Sequence, residues 1–247
     1  MQNVKLTDRG LEHDRRWMLV DENNQFLTQR DFPRMALLKT AIKESKLIVF
    51  EKGQGEDSLI LDIDPSFGEF LKVDVWGDNC EAQHISTTAD FWFSRKLNRN
   101  VKLVYMPASS RRQVDKAYAL QDDITSFSDG YPVLLIGQSS LDDLNSRLDE
   151  PVPMNRFRPN IVFSGGMPYQ EDEMKHFKVN DLEFFGVKPC GRCVITTINQ
   201  DSATAGKEPL STLSKYRAVN NTVNFGQNIL HKGDGRIHVG DEIRLIK

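Results

Sequence analysis

The chain has 247 residues, 32 Lys and Arg against 35 Asp and Glu, a formal net charge of -3 and three cysteines. At the usual ~100–200 residues per domain it forms one large or two small domains. The near-neutral charge argues against a dedicated duplex-DNA binder, and no segment approaches the ~20 apolar residues of a membrane helix. We therefore expect a cytoplasmic protein with no nucleic-acid or membrane partner, in a reducing compartment because the cysteines are few and odd in number.

The first half of the chain is predicted to consist of short strands. Apolar runs, several alternating with polar residues, are separated by Gly, Pro, Asp and Asn turn signals at 16–20, 25–28, 35–42, 47–50, 58–63 and 70–76. This pattern is typical of an antiparallel sheet or barrel, and its first two runs read as a hairpin. A helix is predicted from Thr87 to Leu97, where Ser86 can provide the N-cap.

The second half mixes strands and helices. A strand at 101–106 leads into a polar segment, 107–125, that is predicted to be a long loop at the domain junction. The remaining predictions are helices at 139–148 and 208–216, strands at 158–163, 182–187 and 194–198, and a closing hairpin at 236–246. Because strands dominate without regular strand–helix alternation, we predict a mainly β fold with some helices, in the α+β class.

The sharpest local feature is the pair Cys190 and Cys193, in the sequence Lys-Pro-Cys-Gly-Arg-Cys. Structural zinc needs four ligands, and Cys80 and five scattered histidines offer none at ligand spacing. A thioredoxin-type couple needs its first thiol at a helix N-terminus, but a β-branched run follows here. Two hypotheses stay open: incidentally close thiols, or a thiolate that binds a soft metal or acts as a nucleophile, stabilised by Arg192 and Lys188.

Three other clusters could bind anions. Arg156 and Arg158 surround an X-Pro turn with two amides, which suits bidentate binding of phosphate or carboxylate. Arg15 and Arg30 lie in charged segments of the first hairpin, and the turn at 126–130 could offer hydroxyl and backbone N–H groups. Solvated or neutralised arginines, a charged hairpin rim and an ordinary turn would explain the same residues equally well.

In chain order, seven short motifs resemble the MOSC family, which takes its name from the C-terminal domain of molybdenum cofactor sulfurase. They are Asp14-Arg15-x-Trp17, Arg30-x-x-Pro33, Ser128-Asp129, Phe157-Arg158-Pro159-Asn160, Cys190-x-x-Cys193-x-x-Thr196-Thr197, Glu208-Pro209-Leu210 and Val239-Gly240-Asp241. The sequence most resembles the bacterial YcbX type and the mitochondrial amidoxime reducing component. The resemblance implies a MOSC N-terminal β-barrel domain over 1–85, a helix and connecting segment over 86–125, and a β-barrel-like MOSC domain over 126–247, packed on the first.

The resemblance also implies a site. A molybdenum–pterin cofactor would lie between the two domains, with Cys193 as the catalytic residue and the protein ligand to molybdenum. Cys190 would lie just outside the metal ligands. Gly191 and Arg192 would flank the metal through backbone N–H and side chain. The cofactor-binding positions carried over by motif are Arg15, Arg158 and Asn160, with Thr28, Arg30, Ser126 and Ser128 beside them.

Members of this subgroup reduce N-hydroxylated compounds such as hydroxylaminopurine-like bases and amidoximes, so the resemblance implies a molybdenum-dependent oxidoreductase. We expect a small N-hydroxylated substrate and a separate electron donor of ferredoxin or flavoprotein type, because the C-terminal ferredoxin domain of the YcbX type is absent from the sequence. The sequence starts beyond the family's Tyr-Pro-x-Lys-Ser motif, so the barrel is expected to lack its first strand.

Two alternatives belong to other functional classes. Cys193 could carry a persulfide in a sulfur-transfer or molybdenum-cofactor carrier module, or the MOSC domain could be degenerate and non-catalytic. Pyridoxal phosphate is not expected, although MOSC domains also occur fused to enzymes that use it.

Overall fold

The structure is a computed structural model that describes residues 2–246, and the chain divides into two compact units. Unit 1 comprises the residues up to 14, 113–197 and those from 206 onward, and unit 2 comprises 15–112 and 198–205. The predicted bounds at 85 and 125 differ from this division. The first residues of the chain belong with its C-terminal half, and the helix after Ser86 belongs with the N-terminal half.

Strands make up most of the regular structure. In chain order they are β1 (Asn3–Thr7), β2 (Gly10–Leu11), β3 (Trp17–Val20), β4 (Leu38–Lys43), β5 (Lys46–Glu51), β6 (Gln54–Asp62), β7 (Phe70–Val75), β8 (Asp78–His84), β9 (Lys102–Tyr105), β10 (Arg112–Gln113), β11 (Ile124–Thr125), β12 (Val133–Gly137), β13 (Ile161–Phe163), β14 (His176–Val179), β15 (Leu182–Gly191), β16 (Ala218–Val219), β17 (Thr222–Lys232), β18 (Gly235–His238) and β19 (Ile243–Leu245). The α-helices are α1 (Thr87–Leu97), α2 (Gln138–Asn145) and α3 (Leu210–Ser214), and 3₁₀ helices occupy Pro33–Leu37, Met154–Arg156, Gln170–Asp172 and Val194–Thr197. The predicted mainly β, α+β class is confirmed. Within residues 2–246, no helix has the length and apolar character needed to span a membrane.

Unit 2 is built from two antiparallel sheets, ordered β3-β9-β8-β7 and β4-β5-β6. Alternate residues of β5 and β6, such as Leu47 and Leu59, are buried in one core with Trp92 and Phe93 of α1. Helix α1 has the predicted bounds, and it begins where expected because the Ser86 hydroxyl accepts a hydrogen bond from the backbone N–H of Ala89.

A buried lysine joins α1 to the β4-β5-β6 sheet. Lys96 Nζ lies 3.1 Å from Glu51 Oε2, 2.8 Å from Gln54 Oε1 and 2.9 Å from Asp57 Oδ2. Lys96 is 5% and Glu51 4% exposed, and Glu51 also accepts a hydrogen bond from Arg34. Burial raises the pKa of Glu51, but hydrogen bonds from the two cations outweigh burial and hold this pKa below its ordinary value.

Unit 1 contains a sheet ordered β13-β12-β17-β15-β14-β19, with β16 paired to β17, and a second sheet ordered β18-β1-β2. Strand β12 is apolar throughout because both of its faces are buried. Its Leu135 faces a core that contains Phe177 and Phe184. Its Leu134 and Ile136 face a second core, the α2 cluster, whose buried members are Leu134, Ile136, Leu141, Leu144, Val152, Phe157, Leu213 and Phe225.

Several predicted elements were wrong. The predicted strand at 194–198 is a 3₁₀ helix, because the hydroxyls of Thr196 and Thr197 donate to the carbonyls of Cys193 and Val194 instead of facing a neighbouring strand. The closing segment forms strands, but they do not pair as a hairpin: β18 pairs with β1 and β19 with β14. The other differences are β10 and β11 inside the predicted loop, a 3₁₀ helix at Pro33–Leu37 before β4, a single bridge between Val20 and Phe26, and a helix α3 shorter than predicted.

Candidate functional site

The cysteine pair lies where β15 ends. Cys190 is near the end of this strand and packs against the α2 cluster, and the Arg192 side chain turns to the same side. Cys190 therefore lies on the core side of a strand, unlike the first thiol of a thioredoxin-type couple. Cys193 follows just after the strand end and is half-buried.

Arg192 holds the loop formed by residues 190–193, here called the cysteine loop, against neighbouring segments of unit 1. Its Nε donates to the Phe225 carbonyl at 2.8 Å, its Nη1 to the Phe157 carbonyl at 3.1 Å, and its backbone N–H to the Val223 carbonyl at 2.7 Å. Its Nη2 is buried and has no hydrogen-bond partner within the described chain. The side chain predicted to flank the metal thus uses two of its three nitrogens to hold backbone carbonyls, and one nitrogen stays available to an anion.

The Phe157–Asn160 turn lies beside this loop. Arg156 Nη1 donates to the Thr196 carbonyl at 3.4 Å, which ties the turn to the 3₁₀ helix after Cys193. Arg158 has an exposed side chain on a left-handed backbone, with φ of 55°, a conformation that non-glycine residues adopt mostly at sites held by their surroundings. Unit 1 therefore brings together the Phe157–Asn160 turn, here called the arginine turn, and the cysteine loop.

Asn160 has its amide group bound on both sides. Its Oδ1 accepts from the Leu134 N–H at 2.9 Å, and its Nδ2 donates to Asp14 Oδ2 at 2.8 Å. It therefore fixes the position of Asp14, the residue that precedes Arg15. Sequence reasoning did not assign a role to Asp14, although its place in the motif beside Arg15 was a usable signal.

The two predicted serines lie inside unit 1, in the turn after β11. Ser126 and Ser128 are both buried, and the Ser128 hydroxyl is hydrogen-bonded to that of Thr125. Their predicted contact with a cofactor stays a prediction.

The other candidate residues lie in unit 2. Thr28 Oγ1 accepts from the Arg30 N–H at 3.0 Å and so shapes the turn that carries Arg30. The Arg30 guanidinium lies 4.3 Å from the ring centroid of Trp76, a residue that the sequence motifs do not include. Arg15 has a left-handed backbone with φ of 50°. The signal that could have identified Trp76 is its position as a bulky residue in a Trp-Gly hairpin turn, where the φ of Trp76 is positive.

Across residues 2–246, no group of three or more His, Cys, Asp and Glu side chains is arranged to hold a metal ion. The site in unit 1 offers a half-exposed thiol at Cys193, one buried and unpaired guanidinium nitrogen of its sequence neighbour Arg192, and the exposed Arg158. A thiolate can donate to a soft metal, and guanidinium groups bind phosphate.

Replacing Arg192 by lysine is expected to loosen the cysteine loop, because an ammonium group cannot reproduce the two-pronged grip on the Phe157 and Phe225 carbonyls. A hydrogen bond to a charged group contributes ~1.5 kcal/mol or more, so the loss of one such bond should raise the population of the locally opened loop about tenfold. The readout is the rate at which iodoacetamide alkylates Cys193 in metal-free protein.

The matched control is Arg217→Lys. Arg217 also donates to a carbonyl of strand β17, that of Asn224 at 3.1 Å, but it makes no hydrogen bond to the cysteine loop. An equal rise in the alkylation rate of Cys193 in both variants would contradict the conclusion that the Arg192 hydrogen bonds hold the cysteine loop in place.

Comparison with known proteins identifies the family to which the chain belongs. The model of the MOSC N-terminal beta barrel domain matches residues 1–100, and that of the MOSC domain matches residues 122–244. Mitochondrial amidoxime-reducing component 1 of Mus musculus is 31% identical over 264 residues, which cover 100% of this chain and 77% of the relative. The Homo sapiens protein of the same name is 30% identical, covering 96% of this chain and 74% of its own.

A second group of relatives is longer. Molybdenum cofactor sulfurase of Arabidopsis thaliana is 33% identical over 95% of this chain, which spans 32% of that relative. The β-rich units and the matched domains define a protein with an N-terminal β-barrel domain followed by a second β-rich domain. The chain belongs to the MOSC family, as its motifs predicted.

Proposed function

We propose that the protein is an enzyme that reduces N-hydroxylated compounds with a molybdenum–pterin cofactor, and that Cys193 is the protein ligand to the metal. The observation that carries this proposal is the cysteine loop, in which Arg192 fixes the backbone beside a half-exposed Cys193. Relatives that match nearly the whole chain are named amidoxime-reducing components, and these names support the proposed class of reaction.

The residues present fit such a cofactor. Thiolate sulfur complements a soft metal that also binds the dithiolene sulfurs of a pterin. A buried donor without a partner costs stability, and Arg192 Nη2 is such a donor, so an anionic group placed near it would satisfy it. The exposed Arg158 beside it suits the pterin phosphate.

When bound, the cofactor supplies two-electron redox chemistry. In the overall reaction the N–O bond breaks, two electrons and two protons are consumed, and the products are an N–H group and water. Cys193 would bind the metal, Arg158 and Arg192 would neutralise the cofactor's negative charge, and Asn160 would position the segment that leads to Arg15. Gly191, Thr28, Arg30, Ser126 and Ser128 complete the proposed binding set.

Electrons would come from a separate ferredoxin- or flavoprotein-type donor, and we propose that the protein works in the cytoplasm. The test uses purified full-length protein loaded with molybdenum cofactor, dithionite-reduced methyl viologen as artificial donor, and benzamidoxime as substrate. We expect equimolar molybdenum and oxidation of the dye that depends on benzamidoxime, with benzamidine as the product. A protein that holds equimolar molybdenum but forms no benzamidine would contradict the proposal.

A second candidate function is favoured by the 33% identity to a molybdenum cofactor sulfurase. In this case Cys193 would carry a persulfide and transfer its outer sulfur. Intact-protein mass spectrometry after alkylation distinguishes the two functions, because a persulfide adds the mass of one sulfur at Cys193. Protein that shows neither added sulfur nor bound molybdenum would be the degenerate, non-catalytic domain.

A further inference from the structure

A rigid hairpin projects beside the cysteine loop. Strands β16 and β17 are joined by Asn220 and Asn221, whose φ angles are 48° and 61°. Positive φ at both central residues is the requirement of the tight two-residue hairpin turn whose twist matches that of the strands, and asparagine adopts it readily. The hairpin therefore presents its side chains in a fixed arrangement.

The base of this hairpin is pressed against the cysteine loop. Gly191 pairs with Asn224, and the Arg192 N–H donates to the Val223 carbonyl at 2.7 Å. A Cβ atom on Gly191 would lie 2.6 Å from Thr222 Cγ2, which is closer than such atoms approach, so a larger residue here would require the Thr222 side chain to shift. The hairpin is therefore in direct contact with the loop.

Val219 lies on the face of the hairpin that contacts the cysteine loop. Val219 is directly opposite Thr222, so both side chains project from one face of the hairpin, and this is the face that touches Gly191, two residues before Cys193. Val223 and Phe225 instead face the α2 cluster.

Two large apolar side chains at or beside the cysteine loop are exposed: Val219, on the hairpin that packs against Gly191, at 59% and Val194, next to Cys193, at 52%. Binding sites for small molecules combine apolar walls with a few polar groups at the reacting end. We propose that Val219 and Val194 form the apolar wall that contacts the organic part of the N-hydroxylated substrate, so that they determine specificity for apolar substrates over small polar ones. This inference rests on the proposed function.

The experiment compares benzamidoxime with acetamidoxime, which carries the same reacting group on a single methyl. For cofactor-loaded Val219→Asp we expect kcat/KM for benzamidoxime to fall about tenfold, mainly through KM, since removing apolar contact in a pocket costs roughly that much. The fall for acetamidoxime should be clearly smaller, and the molybdenum content should equal that of the wild type. Val219→Thr, which keeps the side-chain shape and β-branching, should change the ratio in the same direction by a smaller factor.

The matched control is Val239→Asp, because Val239 is 73% exposed in the same unit but lies outside the cysteine loop and its hairpin. Equal falls for both substrates in Val219→Asp, or an equal loss of benzamidoxime selectivity in Val239→Asp, would overturn the inference and leave the proposed function intact. A wild-type protein that reduces neither substrate would instead refute the proposed function, and this inference with it.

Discussion

Cys193→Ser is expected to lower kcat of the cofactor-loaded protein for benzamidoxime by at least ~100-fold. Groups that only support a metal ligand typically cost ~10–100-fold when removed, and the ligand itself should cost more. A serine hydroxyl stays protonated at neutral pH and is a harder donor than a thiolate, so it cannot replace the sulfur next to a soft metal. The measurement is the steady-state rate per bound molybdenum.

Cys80→Ala is the control for this substitution. Cys80 is buried in β8 of unit 2, and its burial raises the pKa of the thiol to about 11, so it is protonated at neutral pH and unsuited to bind a metal. This variant should keep its rate per molybdenum. Full activity in Cys193→Ser would refute the assignment of the ligand, whatever the result for Cys80→Ala.

Lys96→Met is expected to lower the free energy of unfolding by ~3–5 kcal/mol, which is the usual cost of removing one partner from a buried ion pair. Glu51 would stay buried with only Arg34, whose side chain is largely exposed, to balance its charge. Urea denaturation followed by tryptophan fluorescence measures the effect, because Trp92 lies in the same helix.

Arg95→Met is the matched control, since Arg95 lies on the same helix and pairs with Asp57, but its side chain is 54% exposed. An exposed pair of this kind contributes ~0–1 kcal/mol. If both substitutions destabilised the protein equally, burial of the Lys96 network would not be the cause.

The difference in the free energy of unfolding between the wild type and Lys96→Met should depend on pH. In the wild type the pKa of Glu51 is held below its ordinary value, so this group adds stability above about pH 4.5 and loses it as the pH falls. In the variant, only Arg34 opposes the effect of burial on Glu51, so this pKa lies higher than in the wild type and less stability is gained as the pH rises. The two curves should therefore converge in acid and separate towards neutral pH.

Local signals in the sequence predicted elements well wherever the chain decides its structure locally. Ser86 and the apolar spacing that follows predicted α1 with its correct ends. The run after Cys193 failed because β-branched residues indicated a strand, while threonine hydroxyls that bond to nearby carbonyls stabilise a 3₁₀ helix. Strand partners were beyond reach: both closing strands were expected, but their pairing with β1 and β14 depends on contacts far along the chain.

The candidate site shows the same division. Short motifs identified the family and the residues near Cys193, because they depend on residue type and spacing alone. The direction of a long side chain depends on the packing around it. The charge of Arg192 suggested that it stabilises a thiolate, and only the structure shows that two of its guanidinium nitrogens bind the Phe157 and Phe225 carbonyls. Trp76 was also missed, because its proximity to Arg30 arises only when separate parts of unit 2 pack together.

The pairing of β1 with β18 has a consequence for the order of assembly during translation. Asn3 is opposite His238, so this pairing of β1 cannot form until β18, which follows unit 2 in the sequence, has been synthesised. Nearly all of unit 2, residues 15–112, is synthesised early and can begin to fold as a body. Throughout that interval β1 can pair with β2 but its other edge stays unpaired, and an unpaired strand edge can pair with other chains.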